Sequence, residues 1–133
     1  MKLMIFVCVV SIMRLTEVSA GTSGYATWFT VESCQREGTS GITASGRPLD
    51  DSVLWCALPS RPPRDSSGRR AWGRTIRVTN RLTGRSIVVE QWDLGPGRRA
   101  QSRGVVIDLT PAAFLALGGR LQAGRLSVSI EVL

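Results

Sequence analysis

Short segments of alternating apolar and polar residues, separated by glycine-rich loops, most restrict the folds open to this chain. The clearest pair is RTIRVTN at 74–80 and RSIVVEQWDL at 85–94, which predict two β-strands. NRLTGR at 80–85 joins them as a hairpin, with Gly84 available for a positive φ in the turn. Strands of this length bury one face each, so the pattern favours a small β-barrel or β-sandwich.

Four further segments extend the β pattern. YATWFT at 25–30 and RLSVSIEVL at 125–133 alternate as strands, and GVVIDL at 104–109 is a continuous apolar run typical of a buried strand. SVLWCAL at 52–58 is too short for periodicity to separate a strand from a helix. The chain therefore contains five or six predicted strands and belongs to the mainly β class.

One helix is predicted after the buried strand. Thr110 is a helix-capping residue type, and Pro111 is the residue best tolerated in a first turn. The helix PAAFLAL would end at Gly118–Gly119. The polar, glycine-rich segment 31–50 and the Pro-, Ser- and Arg-rich segment 59–70 are predicted to be loops.

The N-terminal segment has the pattern of a secretory signal peptide. Lys2 is followed by a short apolar run, and Val18-Ser19-Ala20 supplies the small residues that a signal peptidase requires. Cleavage after Ala20 would leave one domain, 21–133, secreted or periplasmic and without a membrane span. A buried strand or a membrane anchor is the alternative, but the apolar run is short for a bilayer.

The cysteine and histidine content limits the disulfides and the catalytic or metal sites that the chain can form. Removal of the segment with Cys8 would leave Cys34 and Cys56, which an oxidising compartment would join in one disulfide; two buried thiols are the alternative. The chain has no histidine, and its cysteines lack zinc-site spacing. No metal or cofactor is predicted, and no histidine can activate a serine or cysteine nucleophile.

The positive charge does not by itself identify a partner. The formal net charge is +7, with arginine pairs at Arg69–Arg70 and Arg98–Arg99. A basic surface attracts nucleic acid, anionic membranes and acidic polymers alike. Since the arginines are scattered and no aromatic–basic signature accompanies them, nucleic acid is not a predicted partner.

The order of the motifs resembles the rare lipoprotein A-like double-psi β-barrel family, which is related to expansin N-terminal and barwin-like domains. The resemblance covers nearly all of 24–133, and its most specific part combines VTN, TGRSIVV, DLGP and VIDLT. It implies a six-stranded double-psi β-barrel with one or two short helices. It also implies a monomeric domain with an extended groove for cell-wall glycan, often peptidoglycan.

The resemblance assigns candidate site residues to this chain. Asp93 stands at the DLGP motif, where lytic transglycosylases of the family carry the proposed general acid/base, and Asp108 is a second candidate for catalysis. Trp92 beside Asp93 is a predicted platform for a sugar ring. We also expect Trp92 to desolvate the Asp93 carboxyl, so that Asp93 holds its proton more tightly. The other predicted substrate-binding residues are Tyr25, Arg98 and Arg99.

Departures from the family pattern leave the function open between two classes. Arg47 stands where transglycosylase members tend to carry a glutamate, and the usual histidine is missing. Asp93 is therefore either a general acid/base of a lytic transglycosylase or a turn-capping carboxylate in a non-catalytic, expansin-like or barwin-like wall-binding module. A secreted inhibitor or effector on the same barrel is a third possibility.

Overall fold

The computed structural model describes residues 21–38 and 40–133; the predicted signal peptide, 1–20, lies outside them. Six strands and three α-helices make up the domain, together with a short 3₁₀-helix. The strands are β1 (Thr22–Trp28), β2 (Trp55–Leu58), β3 (Thr75–Asn80), β4 (Ser86–Leu94), β5 (Val105–Leu109) and β6 (Leu126–Val132). The helices are α1 (Val31–Arg36), α2 (Arg98–Ser102), α3 (Pro111–Ala116) and the 3₁₀-helix Leu121–Ala123.

The six strands close into one barrel, which confirms the predicted fold class. The order around the barrel is β1-β5-β2-β4-β3-β6. The pairs β1–β5 and β2–β4 are parallel, and the other four pairs are antiparallel. Because this order is cyclic, β6 lies on the opposite side of the barrel from β2. Closure also leaves none of the six strands with an unpaired edge.

Helix α3 closes one end of the barrel. Its side chains Ala113 and Phe114, and Leu117 after it, are fully buried. Thr110 caps the helix by accepting a hydrogen bond from the Ala113 N–H, as the sequence predicts. The buried Asn80 side chain donates to the Leu117 carbonyl at 2.9 Å, which attaches the end of α3 to β3. The core inside the barrel consists mainly of aliphatic side chains, including Ala26, Leu58, Ile76, Val78, Val89, Ile107, Leu109 and Val128.

The structure also contains elements that the sequence pattern did not predict. Part of 52–58 is the strand β2, which resolves the ambiguity of that segment. Helix α1 lies in the segment predicted as loop, and Thr30 and Ser33 form a capping box at its start. Helix α2 follows the Gly-Pro-Gly turn, where only a loop was expected. The hairpin turn is as predicted, with Gly84 at φ 77°.

The two predicted disulfide partners lie in different environments. Cys34 is buried on α1, whereas Cys56 is a core residue of β2. The structure does not join the two in the predicted disulfide. Burial raises the pKa of the Cys56 thiol above its ordinary value. None of the helices in 21–38 and 40–133 is long and apolar enough to cross a membrane.

Candidate functional site

A β-bulge in β4 brings Asp93 to the outer surface of the barrel. Cys56 of β2 belongs to the hydrophobic core, whereas the next residue, Ala57, is buried outside that core. Cys56 pairs with Gln91 of β4. The next pair joins Ala57 to Asp93, so Trp92 is the extra residue of the bulge. Because a bulge re-aims the side chains that follow it, Asp93 lies beside Ala57 rather than inside the barrel.

Both predicted carboxylates flank the same alanine. Ala57 pairs with Asp108 of β5 on its other side, and Asp108 pairs in turn with Thr27 of β1. We call this line of residues across four strands the carboxylate row: Asp93, Ala57, Asp108 and Thr27. Since neighbouring strands lie about 4.8 Å apart, the Cα atoms of Asp93 and Asp108 are separated by about 10 Å.

The surroundings of Asp108 shift the pKa of its carboxyl. Burial raises its pKa above the ordinary value, and the negative charges of Glu37 and Asp93 act in the same direction. The Thr27 hydroxyl donates a hydrogen bond to Asp108 Oδ1, which opposes the rise. Burial is the largest of these effects. Asp108 therefore holds its proton more tightly than an ordinary aspartate does.

Asp93 is held by backbone amides. Its Oδ1 accepts hydrogen bonds from the N–H of Leu94 at 2.8 Å and of Ala44 at 2.9 Å. The Ser45 N–H also donates to the Trp92 carbonyl at 3.2 Å, so the 43–47 turn docks along the bulge. Asp93 therefore attaches the 43–47 turn to the end of β4, and its Oδ2 has no hydrogen-bond partner among the described residues.

Trp92 belongs to an aromatic cluster beside Asp93. The Arg47 guanidinium lies over its ring, 3.9 Å from the ring centroid, and the Trp55 ring centroid is 5.6 Å away. A Cβ at Gly73 would come within 2.7 Å of the Trp92 ring, so that edge is closely packed. Arg47, which replaces the family glutamate, thus covers part of the predicted sugar platform. Trp55 is partly exposed and extends the aromatic surface.

The Gly-Pro-Gly turn passes directly over the row. A Cβ on Gly95 would lie 3.0 Å from Asp108 Oδ2 and 3.6 Å from Ala57 Cβ, and Gly95 has φ 150°. Both the contact and the backbone conformation require glycine at this position. Ala57 and Gly95 therefore add little side-chain bulk beside the Asp108 carboxyl.

The remaining predicted binding residues lie around the row. Tyr25 is on β1 two residues before Thr27, on the same face of the strand, and Arg125 lies 4.2 Å from its ring centroid. Arg98 and Arg99 are exposed on α2, which begins after the Gly-Pro-Gly turn. Among the described residues, neither arginine forms an ion pair with Asp93 or Asp108.

Thr27, Ala57 and Trp55 are site residues that sequence reasoning did not single out. Their place in the site depends on the pairing of β2 with β4 and β5, and of β1 with β5. These strands are distant in sequence. Alternation along a strand shows which residues share a face, but it does not show which residue of another strand each one pairs with. The motif resemblance was the only signal in the sequence that placed Asp93 and Asp108 in one site.

The comparisons with known proteins support the fold. No family model matches the chain, and no curated protein matches it. Streptomyces papain inhibitor matches with a TM-score of 0.59 and 24% identity, over 86% of this chain and 96% of its own. The apo expansin of Clavibacter michiganensis matches with a TM-score of 0.55 and 26% identity. A mutant of that expansin in complex with cellohexaose matches with a TM-score of 0.53 and 25% identity.

Each expansin match covers 84% of this chain and 50% of the expansin, so the chain spans about half the expansin's length. These neighbours and the closed six-stranded barrel agree with the resemblance drawn from the motifs. The chain has an expansin-like double-psi β-barrel fold.

Proposed function

We propose that this domain is a secreted, non-catalytic module that binds cell-wall polysaccharide along its carboxylate row. The observation that carries the proposal is the placement of Asp93 and Asp108 on either side of Ala57, on the outer face of the barrel. Sugar hydroxyls both donate and accept hydrogen bonds, and a carboxylate with a free oxygen accepts them. The expansin neighbour in complex with cellohexaose supports a glycan as the ligand.

The two carboxyl groups offer different contacts to a sugar. Because its pKa is raised, Asp108 holds its proton to a higher pH than an ordinary aspartate, and the protonated form can donate a hydrogen bond to a ring or hydroxyl oxygen. Asp93 presents Oδ2 as an acceptor while its Oδ1 is occupied by backbone amides. The partly exposed Trp55 ring next to this pair supplies an apolar surface for a sugar face.

A second candidate function, cleavage of the glycan strand, is favoured by the raised pKa of Asp108. A lytic transglycosylase uses a hydroxyl of the sugar itself as the nucleophile, so one carboxylic acid suffices to protonate the leaving oxygen. In this case Asp108 is the acid. Asp93, the residue favoured by sequence, is then the acceptor that orients the glycan.

Co-sedimentation of the purified protein with peptidoglycan sacculi and with cellulose tests the binding proposal. Asp93→Asn should weaken binding about tenfold, because a hydrogen bond to a charged group contributes roughly 1.5–3 kcal/mol. Asp108→Ala, which removes the donor, should also weaken binding. The matched control is Glu131→Gln, an exposed carboxylate of β6 on the opposite side of the barrel, and it should bind as the unmodified protein does. Equal binding by all four proteins would refute the assignment of this surface.

Mass analysis of the incubated sacculi distinguishes the two candidate functions. Anhydro-sugar ends released by the unmodified protein, and lost by about 10²–10⁴-fold in Asp108→Asn, would establish the enzyme. Binding without any such product is the result expected for the non-catalytic module.

A further inference from the structure

The end of the barrel opposite α3 holds a pocket of about 410 Å³. This volume is within the range of small-molecule sites, about 300–1,000 Å³, and barrel mouths are common places for such sites. The walls are largely apolar and include Leu58, Val105, Ile130 and Val132, and Arg74 is the charged residue that lines the pocket. We call it the mouth pocket; it is separate from the carboxylate row.

Arg74 is held in the pocket wall by a fully buried glutamine. Its Nε donates to Gln91 Oε1 at 2.6 Å. The amide of Gln91 in turn donates from Nε2 to the Ser60 carbonyl at 2.9 Å, and Gln91 has 0% exposure. Because both bonds constrain the guanidinium, Arg74 is oriented before any ligand arrives.

The guanidinium of Arg74 lacks an anionic partner within the described part of the chain. The two ion pairs there join Arg36 to Glu32 and Arg77 to Glu131. Nη2 of Arg74 lies 3.4 Å from Ser60 Oγ and 3.5 Å from the Ser60 carbonyl, at the limit of hydrogen bonding. Nη1 makes no hydrogen bond among the described residues. A half-buried cation next to apolar walls favours an anion that fills the space.

We propose that the mouth pocket binds a small monocarboxylate with an apolar tail, such as a medium-chain fatty acid. The planar guanidinium matches a carboxylate in a two-point hydrogen bond. The aliphatic walls of Leu58, Val105 and Ile130 would bury the hydrocarbon, at roughly 25 cal/mol for each Å² removed from water. A dianionic phosphate fits less well, because the pocket provides one cation and few other polar groups.

Octanoate is the probe for the first test, and octanol is its neutral control. Titration of the full chain, followed by the methyl NMR signals of Val105, Ile130 and Val132, should show saturable shifts with octanoate. Octanol should bind at least about tenfold more weakly, since it cannot form the two-point contact. Absence of saturable octanoate shifts, or equal affinity for the two probes, would overturn the proposal.

Two variants and one control locate the site. Arg74→Gln should weaken octanoate binding by about tenfold or more, whereas Arg77→Gln, which changes an exposed arginine of β3, should not. Val132→Trp should also reduce binding by filling the pocket, and it leaves the bonds of Arg74 to Gln91 and Ser60 in place. Octanoate binding that persists unchanged in a folded Arg74→Gln or Val132→Trp variant would contradict this location.

Discussion

Asp93 and Asp108 show how two identical side chains on one surface acquire different surroundings. Asp93 Oδ1 accepts two backbone N–H bonds, and the bond from Ala44 attaches it to the 43–47 turn. Asp108 accepts a bond from the Thr27 hydroxyl, and its burial raises its pKa. In the proposed glycan contact, protonated Asp108 would be the hydrogen-bond donor and Asp93 the acceptor.

The raised pKa of Asp108 predicts a change in stability with pH. The folded protein binds this proton more tightly than the unfolded chain, whose aspartate pKa is about 3.9. Ionisation of Asp108 therefore lowers the free energy of unfolding as the pH rises through this region. Asparagine retains an Oδ1 acceptor for Thr27 but cannot ionise. We expect Asp108→Asn to gain stability relative to the unmodified protein between about pH 4 and pH 7, measured by urea unfolding.

Glu131→Gln provides the matched control for that measurement, since it removes an exposed carboxylate instead. It should show no comparable gain. The explanation fails if Asp108→Asn loses stability relative to the unmodified protein over the same rise in pH.

At the scale of elements, the sequence predicted the strands and the helix whose signals lie within a few neighbouring residues. Strands β3, β4 and β6 follow from alternation, and α3 follows from its Thr110 cap and Pro111 start. Helices α1 and α2 have six and five residues, too few to show a helical period. The bulge at Trp92 was not predictable from alternation, because it exists only in the pairing with β2.

The Gly-Pro-Gly turn over the carboxylate row should tolerate a side chain at Gly97 but not at Gly95. Gly95→Ala places a Cβ 3.0 Å from Asp108 Oδ2 on a backbone with φ 150°. We expect a loss of about 1–3 kcal/mol in the free energy of unfolding, measured in urea. Gly97→Ala is the control from the same turn, since Gly97 has φ −69° and open space around its Cβ. It should change stability by less than about 0.5 kcal/mol. Equal losses in both variants would show that crowding at Gly95 is not the cause.

At the scale of the whole molecule, the order of the motifs predicted the barrel, which the alternation within single strands could not. Alternation alone left a barrel and a sandwich equally open, because it does not specify which strands pair. The resemblance selected the barrel, and the closed strand order confirms it. The same order places β5, β2 and β4 side by side, which is why residues as distant in sequence as Ala57 and Asp108 share one surface.

The barrel also separates two surfaces with different chemistry. The carboxylate row lies on its outer face, while Arg74 and the aliphatic walls of the mouth pocket lie at the end that α3 leaves open. The pocket could not be predicted from the sequence, since its residues come from four strands, from α2 and from the loops beside them. A ligand at one surface therefore need not compete with a ligand at the other.

The most direct test of glycan binding at the carboxylate row is an amide NMR titration with soluble cellohexaose and with a peptidoglycan-derived oligosaccharide. At least one glycan should produce saturable shifts that are largest at Thr27, Ala57, Asp93 and Asp108, and these shifts should be much smaller in Asp108→Ala. Signals of β6, such as Ser129 and Glu131, should change little, because β6 lies on the far side of the barrel from β2. Shifts confined to β6, or none with either glycan, would contradict the account.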